Sequence, residues 1–217
     1  MSAKKPSVSY EMNKEQVIKA LEELRKQNKR KFNQSVDLLI NLKSFDTKKD
    51  SVNLFLQLPH KIKERKICAF LNKKSSFVDS ITKADFESYV DKKKMKKLVK
   101  EYDFFIAEAS LMPLVAKTFG RFLGAAGKMP SPQLGVFMQA NDEAIKKMIA
   151  DFDKTIRIKS KEPSLKFSIG KESMKNEEIA ENILKAFETI QNSLPKQKEN
   201  IRNVMIKLTM GEPVKIE

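Results

Sequence analysis

The chain contains one histidine, His60, and one cysteine, Cys68. A Ser–His–Asp relay, an imidazole metal site or a thiol–imidazole pair would rest on these two residues alone. His60 follows Leu58 and Pro59 where the sequence style changes, and a structural or solvated histidine is expected there. Cys68 sits in the apolar run RKICAFL (65–71) and reads as a small core residue. A lone cysteine forms neither an intrachain disulfide nor a cysteine-rich zinc site. GRFLGAAGKMPSP (120–132) has the glycine content of a phosphate loop. A dinucleotide fingerprint, however, follows a strand and opens a helix. Gly120, Gly124 and Gly127 instead close a helical pattern and lead into prolines, so a helix end and surface loop are expected. Arg121 and Lys128 would leave that loop able to touch phosphate. The carboxylates are interleaved with lysines on helix faces. No catalytic constellation emerges, no cofactor is called for, and an enzyme is not expected.

Recognition of a polyanion has more support. Lys and Arg total 43 against 28 Asp and Glu, a formal charge of +15, and nucleic acid is the usual partner of such an excess. The excess is spread: residues 1–61 carry 13 basic and 7 acidic side chains, residues 62–154 carry 18 and 12, and residues 155–217 carry 12 and 9. No apolar run approaches the ~20 residues of a membrane span, and no strongly amphipathic basic helix stands out, so a cytoplasmic chain without a membrane partner is expected.

Two short stretches could do the recognising. Arg30 and Lys31 could bind phosphate, and Phe32 could stack on a base or ribose, or simply start a buried stripe. Thr209-Met210-Gly211 offers a hydroxyl that can exchange hydrogen bonds with a ribose 2′-OH, a thioether that can cover a base face, and a glycine that permits close approach and positive φ. A strand-ending turn explains the glycine and Pro213 equally well.

These stretches must be held by secondary structure. Asn13, with Gln16 three residues on, opens a helix whose stripe is Val17, Ile18, Leu21 and Leu24. Phe32, Gln34, Val36, Leu38, Ile40 and Leu42 alternate with Asn33, Ser35, Asp37 and Asn41, the mark of a strand with one buried face. A second strand over 51–59 is expected to pair with it antiparallel. Between residues 62 and 154 the pattern becomes strand, helix, strand, helix, as in a parallel α/β unit. Strands then return at 155–159 and 164–170, followed by a helix with the stripe Ile179, Ile183, Phe187, Ile190 and Leu194, and a last strand over 204–209. The expected fold is therefore α/β and α+β in two domains: a discontinuous α+β domain from 1–61 and 155–217, and an inserted α/β domain over 62–154. The strands over 32–42 and 204–209 would be neighbours in one sheet, and the two crossings would form a double hinge.

KFNQSVDLLINLK, YDFFIAEASLMPLVAKTFGRFLGAAGKMP and VMIKLTMGEPVKI, in that order, resemble the signature stretches of the large-subunit ribosomal protein one family, in its archaeal and eukaryotic branch. The resemblance covers nearly the whole chain. It implies a structural, non-enzymatic protein of the mobile ribosomal stalk, with a discontinuous RNA-binding domain and a Rossmann-like insertion. The implied partners are large-subunit rRNA, outgoing tRNA at the exit site and, in some relatives, a mimic of the rRNA element in their own mRNA, through which translation is repressed. It is expected to be monomeric off the ribosome. By resemblance, the RNA-contacting residues fall on Lys31 and Phe32 with Asn33, Gln34 and Ser35 following, on Asp37, on Asn203, and on Thr209, Met210 and Gly211; Arg30 joins them by charge. Two departures stand out: Lys61 follows His60 where relatives carry glycine, and Ala125-Ala126 replace Pro-Arg in the glycine-rich loop.

Overall fold

The computed structural model describes residues 12–27, 30–45, 52–89, 91–132, 135–138, 142–160 and 162–216. In chain order the elements are α1 (Lys14–Arg25), β1 (Ser35–Leu42), β2 (Val52–Gln57), β3 (Ile67–Phe70), β4 (Asp79–Ile81), α2 (Lys92–Glu101), β5 (Phe104–Glu108), α3 (Met112–Ala126), β6 (Val136–Phe137), α4 (Asp142–Lys154), β7 (Thr155–Ser160), β8 (Ser164–Lys171), α5 (Asn176–Ser193), β9 (Ile201–Leu208) and β10 (Val214–Lys215). They form two compact units: Met1–Lys63 with Lys154–Glu217, and Glu64–Asp153.

In the first unit β1 is central. It runs antiparallel to β9 on one side (Val36 opposite Leu208) and to β8 on the other (Leu38 opposite Phe167), with β10 beyond β9. Period-two alternation sends Val36, Leu38, Ile40 and Leu42 into the core, with Leu165, Phe167, Val204, Ile206 and Leu208 from the neighbouring strands. α1 and α5 cover this face with Val17, Leu21, Leu24, Ile179, Ile183 and Ile190. The expected pairing of the strand over 51–59 with β1 is not observed. Both edges of β1 are occupied, so β2 pairs instead with β7, from Val52 opposite Ser160 to Gln57 opposite Thr155. Buried Asn200 fixes the chain as it leaves β1. Its amide Nδ2 donates to Lys43 O (3.1 Å) and Ser44 O (3.3 Å), and Ser44 adopts a left-handed φ of 55°.

His60 is structural. Its N–H donates to Oδ1 of the buried Asn182 at 3.0 Å, and Asn182 Nδ2 donates to His60 O (3.3 Å) and Ile169 O (3.1 Å). The ring Nε2 lies 2.7 Å from Glu181, whose other carboxylate oxygen accepts from Lys14 Nζ at 2.9 Å.

The second unit has a parallel sheet ordered β4-β3-β5-β6. RKICAFL is unbroken in its apolarity because both faces are covered. Cys68 and Phe70 face α2 and α3; Ile67, Ala69 and Leu71 face Ile145 and Phe152 of α4. Phe70, Phe86, Phe105 and Phe119 pack with ring centroids 5.0–5.9 Å apart. The short strands β4 and β6 and the 3₁₀ turn Lys83–Tyr89 carry too few residues for a readable period. Gly120 and Gly124 lie inside α3, not at its end; only Gly127 terminates it, in the left-handed conformation at φ 69°. Lys128 is not a free phosphate ligand: its Nζ donates to Val99 O and Tyr102 O, both at 2.7 Å, capping the end of α2. Among the described residues no helix is long and apolar enough to cross a membrane.

Candidate nucleic-acid interface

The face of the four-stranded sheet opposite α1 and α5 carries the other half of each strand's alternation. Register sets its side chains in rungs across β8, β1 and β9: Ser168–Asp37–Lys207, Lys166–Leu39–Met205 and Ser164–Asn41–Asn203. These residues are half-buried or exposed. Asn41 Nδ2 donates to Asn203 Oδ1 at 2.8 Å, and Ser164 Oγ donates to Asn41 Oδ1 at 2.9 Å, so the last rung is a continuous polar chain. Burial raises the Asp37 carboxyl above the usual carboxylate range, an effect countered by the Lys207 ammonium and a hydrogen bond with Ser168. The face therefore presents hydroxyls, carboxamides, one carboxylate, the cations Lys166 and Lys207 and the adjacent apolar side chains Leu39 and Met205. Such a set can hydrogen-bond ribose and base edges and neutralise phosphate. Among the described residues no group of three histidines, cysteines or carboxylates could hold a metal ion.

At one end of this sheet Gln34 and Ser35, which follow the first predicted stretch, meet the second. Thr209 N–H donates to Ser35 O at 3.2 Å, and Thr209 Oγ1 accepts from Ser35 N–H at 3.1 Å, which extends the β1–β9 pairing by one rung. Met210 N–H donates to Gln34 Oε1 at 3.2 Å. Gln27 spans Glu212: its Oε1 accepts from Glu212 N–H at 3.0 Å and its Nε2 donates to Glu212 O at 3.1 Å. The 209–211 turn is thus tied to both the start of β1 and the end of α1.

Each predicted residue has a definite place. Arg30 and Lys31 are exposed, and among the described residues neither pairs with a carboxylate. Phe32 does not start the buried stripe; β1 begins three residues later, and the ring is 52% exposed. Met210 is 61% exposed. An apolar side chain held this open contributes little to folding and is available to a partner. Asn33 is tied to Ser173, donating to its Oγ at 3.0 Å and accepting from its N–H at 3.3 Å. Gln34 is 1% exposed, and its carboxamide serves Met210 and Glu172 and so positions the turn. Gly211 differs from expectation in its backbone. It does not adopt positive φ, and the space beside its Cα is filled by the Gln27 carboxamide of the same chain, which an added Cβ would strike. The Gln27 carboxamide is the far end of a flexible side chain, and Leu208 Cβ lies 3.2 Å from the same position, so an added Cβ there calls for a local shift. Leu39, Asn41, Lys166, Ser168, Met205 and Lys207 escaped the sequence reading. Their signal was available as the positions between the buried residues of β1, β8 and β9.

The sequence model of the family described as "Ribosomal protein L1p/L10e family" matches residues 24–212. The chain is 35% identical to a protein of Pyrobaculum islandicum named large ribosomal subunit protein uL1, covering 95% of this chain and 96% of that one. It is 37% identical to the protein of the same name from Methanothermococcus thermolithotrophicus, covering 95% of this chain and 100% of the relative. The Pyrococcus horikoshii protein of that name is 33% identical, with 94% and 97% covered.

Proposed function

The chain belongs to the ribosomal protein L1p/L10e family, and from that premise we propose that it is a structural protein of the large ribosomal subunit that binds large-subunit rRNA through the open face of its four-stranded sheet. The observation that carries this reading is the convergence of the polar rungs of β8, β1 and β9 with Lys31, exposed Phe32 and exposed Met210 at one end of the same sheet. Lys31, Lys166 and Lys207 supply phosphate contacts; Phe32 and Met210 cover base or ribose faces; Thr209, Asn203 and Asp37 read hydroxyl and amino groups. Asn33, Gln34, Ser35 and Gly211 hold these residues in place.

The working protein is a cytoplasmic ribosome component, monomeric off the ribosome. Residues 62–154 form an inserted domain that meets outgoing tRNA at the exit site and assists its release, moving on the two chain crossings. The same sheet face would take a helix-and-loop mimic in the chain's own mRNA, because recognition is by RNA shape. Repression of translation would follow from that competition.

The test is a titration of large-subunit rRNA fragments with the full chain. Burying the exposed half of Phe32 or of Met210 is worth about 1–2 kcal/mol each, so Phe32→Ala and Met210→Ala are expected to weaken binding by about five- to thirtyfold. Lys207→Gln is expected to lower the salt slope by about one. Thr209→Val is less diagnostic, since it also removes the Ser35 N–H acceptor. Equal affinity for rRNA fragments and for unrelated RNA of the same length, or unchanged affinity in both apolar variants, refutes the reading. Competition between the rRNA fragment and the chain's own transcript separates the structural role from the repressor role.

A further inference from the structure

Contrary to the expectation that no basic amphipathic helix stands out, six of the ten residues of α2 are lysine: Lys92, Lys93, Lys94, Lys96, Lys97 and Lys100. All six are exposed, and among the described residues none pairs with a carboxylate. At about 100° per residue, five of them fall within an arc of about 140°, opposite the arc of buried Met95 and Leu98. Lys92, Lys96 and Lys100 form a row rising about 6 Å per step.

This arrangement opposes helix stability. Lysines at i,i+4 repel one another, and the first turn carries no acidic residue, so Lys92, Lys93 and Lys94 sit at the positive end of the macrodipole. The helix is held by other means. Asp91 accepts from Lys93 N–H at 3.0 Å at its start, and Lys128 caps its last carbonyls. The charge is also concentrated. Outside α2, the unit Glu64–Asp153 has 10 basic and 11 acidic side chains, so its whole positive excess lies on this one helix. A merely solvated surface gives no reason for that concentration.

We infer that the lysine face of α2 is a second RNA-contacting surface, which binds the phosphate backbone of double-helical RNA without reading sequence. Charge complementarity selects a dense polyanion. Among the described residues the exposed large apolar side chains, Phe32, Phe77, Met138 and Met210, all lie outside α2, so the helix itself offers no exposed aromatic platform on which unpaired bases could stack. A duplex backbone asks only for cations in a row. The inference rests on the reading of the chain as an RNA-binding protein, but on a different unit from the sheet face.

The test uses the full chain and a 20-base-pair RNA duplex of arbitrary sequence, titrated by fluorescence anisotropy from 50 to 200 mM salt. In the variant K92Q/K93Q/K96Q/K97Q/K100Q, duplex affinity is expected to fall at least about tenfold and the salt slope by about 3.5–4.5, at about 0.7–0.9 for each phosphate that is no longer neutralised. The control K19Q/K26Q/K83Q/K147Q/K196Q removes the same charge from exposed positions elsewhere and is expected to lose much less. Circular dichroism should show an unchanged fold in both. Met210→Ala should leave duplex binding intact while weakening the rRNA fragment, so that failure of the sheet face and failure of the α2 face give different patterns. The inference is overturned if the wild-type chain does not bind the duplex, if the control loses as much as the α2 variant, or if the α2 variant loses binding to phosphatidylserine-containing vesicles but not to duplex.

Discussion

Gln34 tests whether the interface is built by positioning or by direct contact. Gln34→Met keeps the length of the side chain and removes both of its polar ends. The main-chain bonds of residue 34 survive, including Glu172 N–H donating to Gln34 O at 2.8 Å. Two side-chain bonds are lost: the 3.2 Å bond from Met210 N–H and the 3.4 Å bond to Glu172 Oε2, which is long enough to be weak. An ordinary buried hydrogen bond contributes about 1 kcal/mol net, and a thioether is better suited than a carboxamide to a buried site. The Met210 N–H lies in a turn that water can reach. The sum is a loss of stability of about 1 kcal/mol, measurable as a shift of the urea midpoint. The 209–211 turn keeps its tethers to Ser35 and Gln27, so Met210 becomes looser without being released. RNA-fragment affinity should then fall about two- to tenfold. The decisive measurement is a double-mutant cycle with Met210→Ala. If Gln34 acts through Met210, Gln34→Met costs little further binding once Met210 is alanine, and the coupling is about 0.5–1.5 kcal/mol. Additive binding losses would sink the positioning role and show that Gln34 contacts RNA itself.

Other outcomes follow from the same structure. Leu38 is fully buried at the centre of the first core, and Leu38→Ala should destabilise the fold by about 2–5 kcal/mol in urea denaturation. The His60 ring and the Lys14 ammonium hold the Glu181 carboxyl down at about 2 from an ordinary value of 4.5. A depressed carboxyl stabilises the fold above the unfolded value, and that contribution is lost as pH falls from about 4.5 toward about 2. Glu181→Gln should therefore lower the thermal midpoint at pH 6, and the difference should shrink steadily as pH falls toward about 2. Burial and the nearby Asp79 carboxylate push the Cys68 thiol up to about 12, so iodoacetamide should label it only as fast as the chain unfolds.

Much of this architecture was written locally. Period-two alternation is a property of one strand, and it marked Val36, Leu38, Ile40 and Leu42 as core before any partner was known. Helical spacing did the same for α1 and α5, and the unbroken run at Ile67–Phe70 announced a strand covered on both faces. Motif resemblance identified the family and drew attention to Lys31, Phe32 and the 209–211 turn. Pairing, by contrast, is a contest between distant segments. The link from β1 to β2 is short, yet β1 takes β8 and β9 because their apolar faces complete a core with α1 and α5, leaving β2 to β7. No local pattern records that contest. For the same reason the fates of Phe32, Gln34 and Gly211 were settled only by what surrounds them. Phe32 lies outside the strand and stays open. Gln34 is buried because Met210 and Glu172, 176 and 138 residues away in sequence, satisfy its carboxamide. The space beside Gly211 is taken by the carboxamide of Gln27, 184 residues away in sequence. The sequence by itself determined which apolar side chains inside the strands and helices leave water; the tertiary structure decided the fate of residues at the element ends and which outward side chains stand together on one face, since both depend on contacts between residues far apart along the chain.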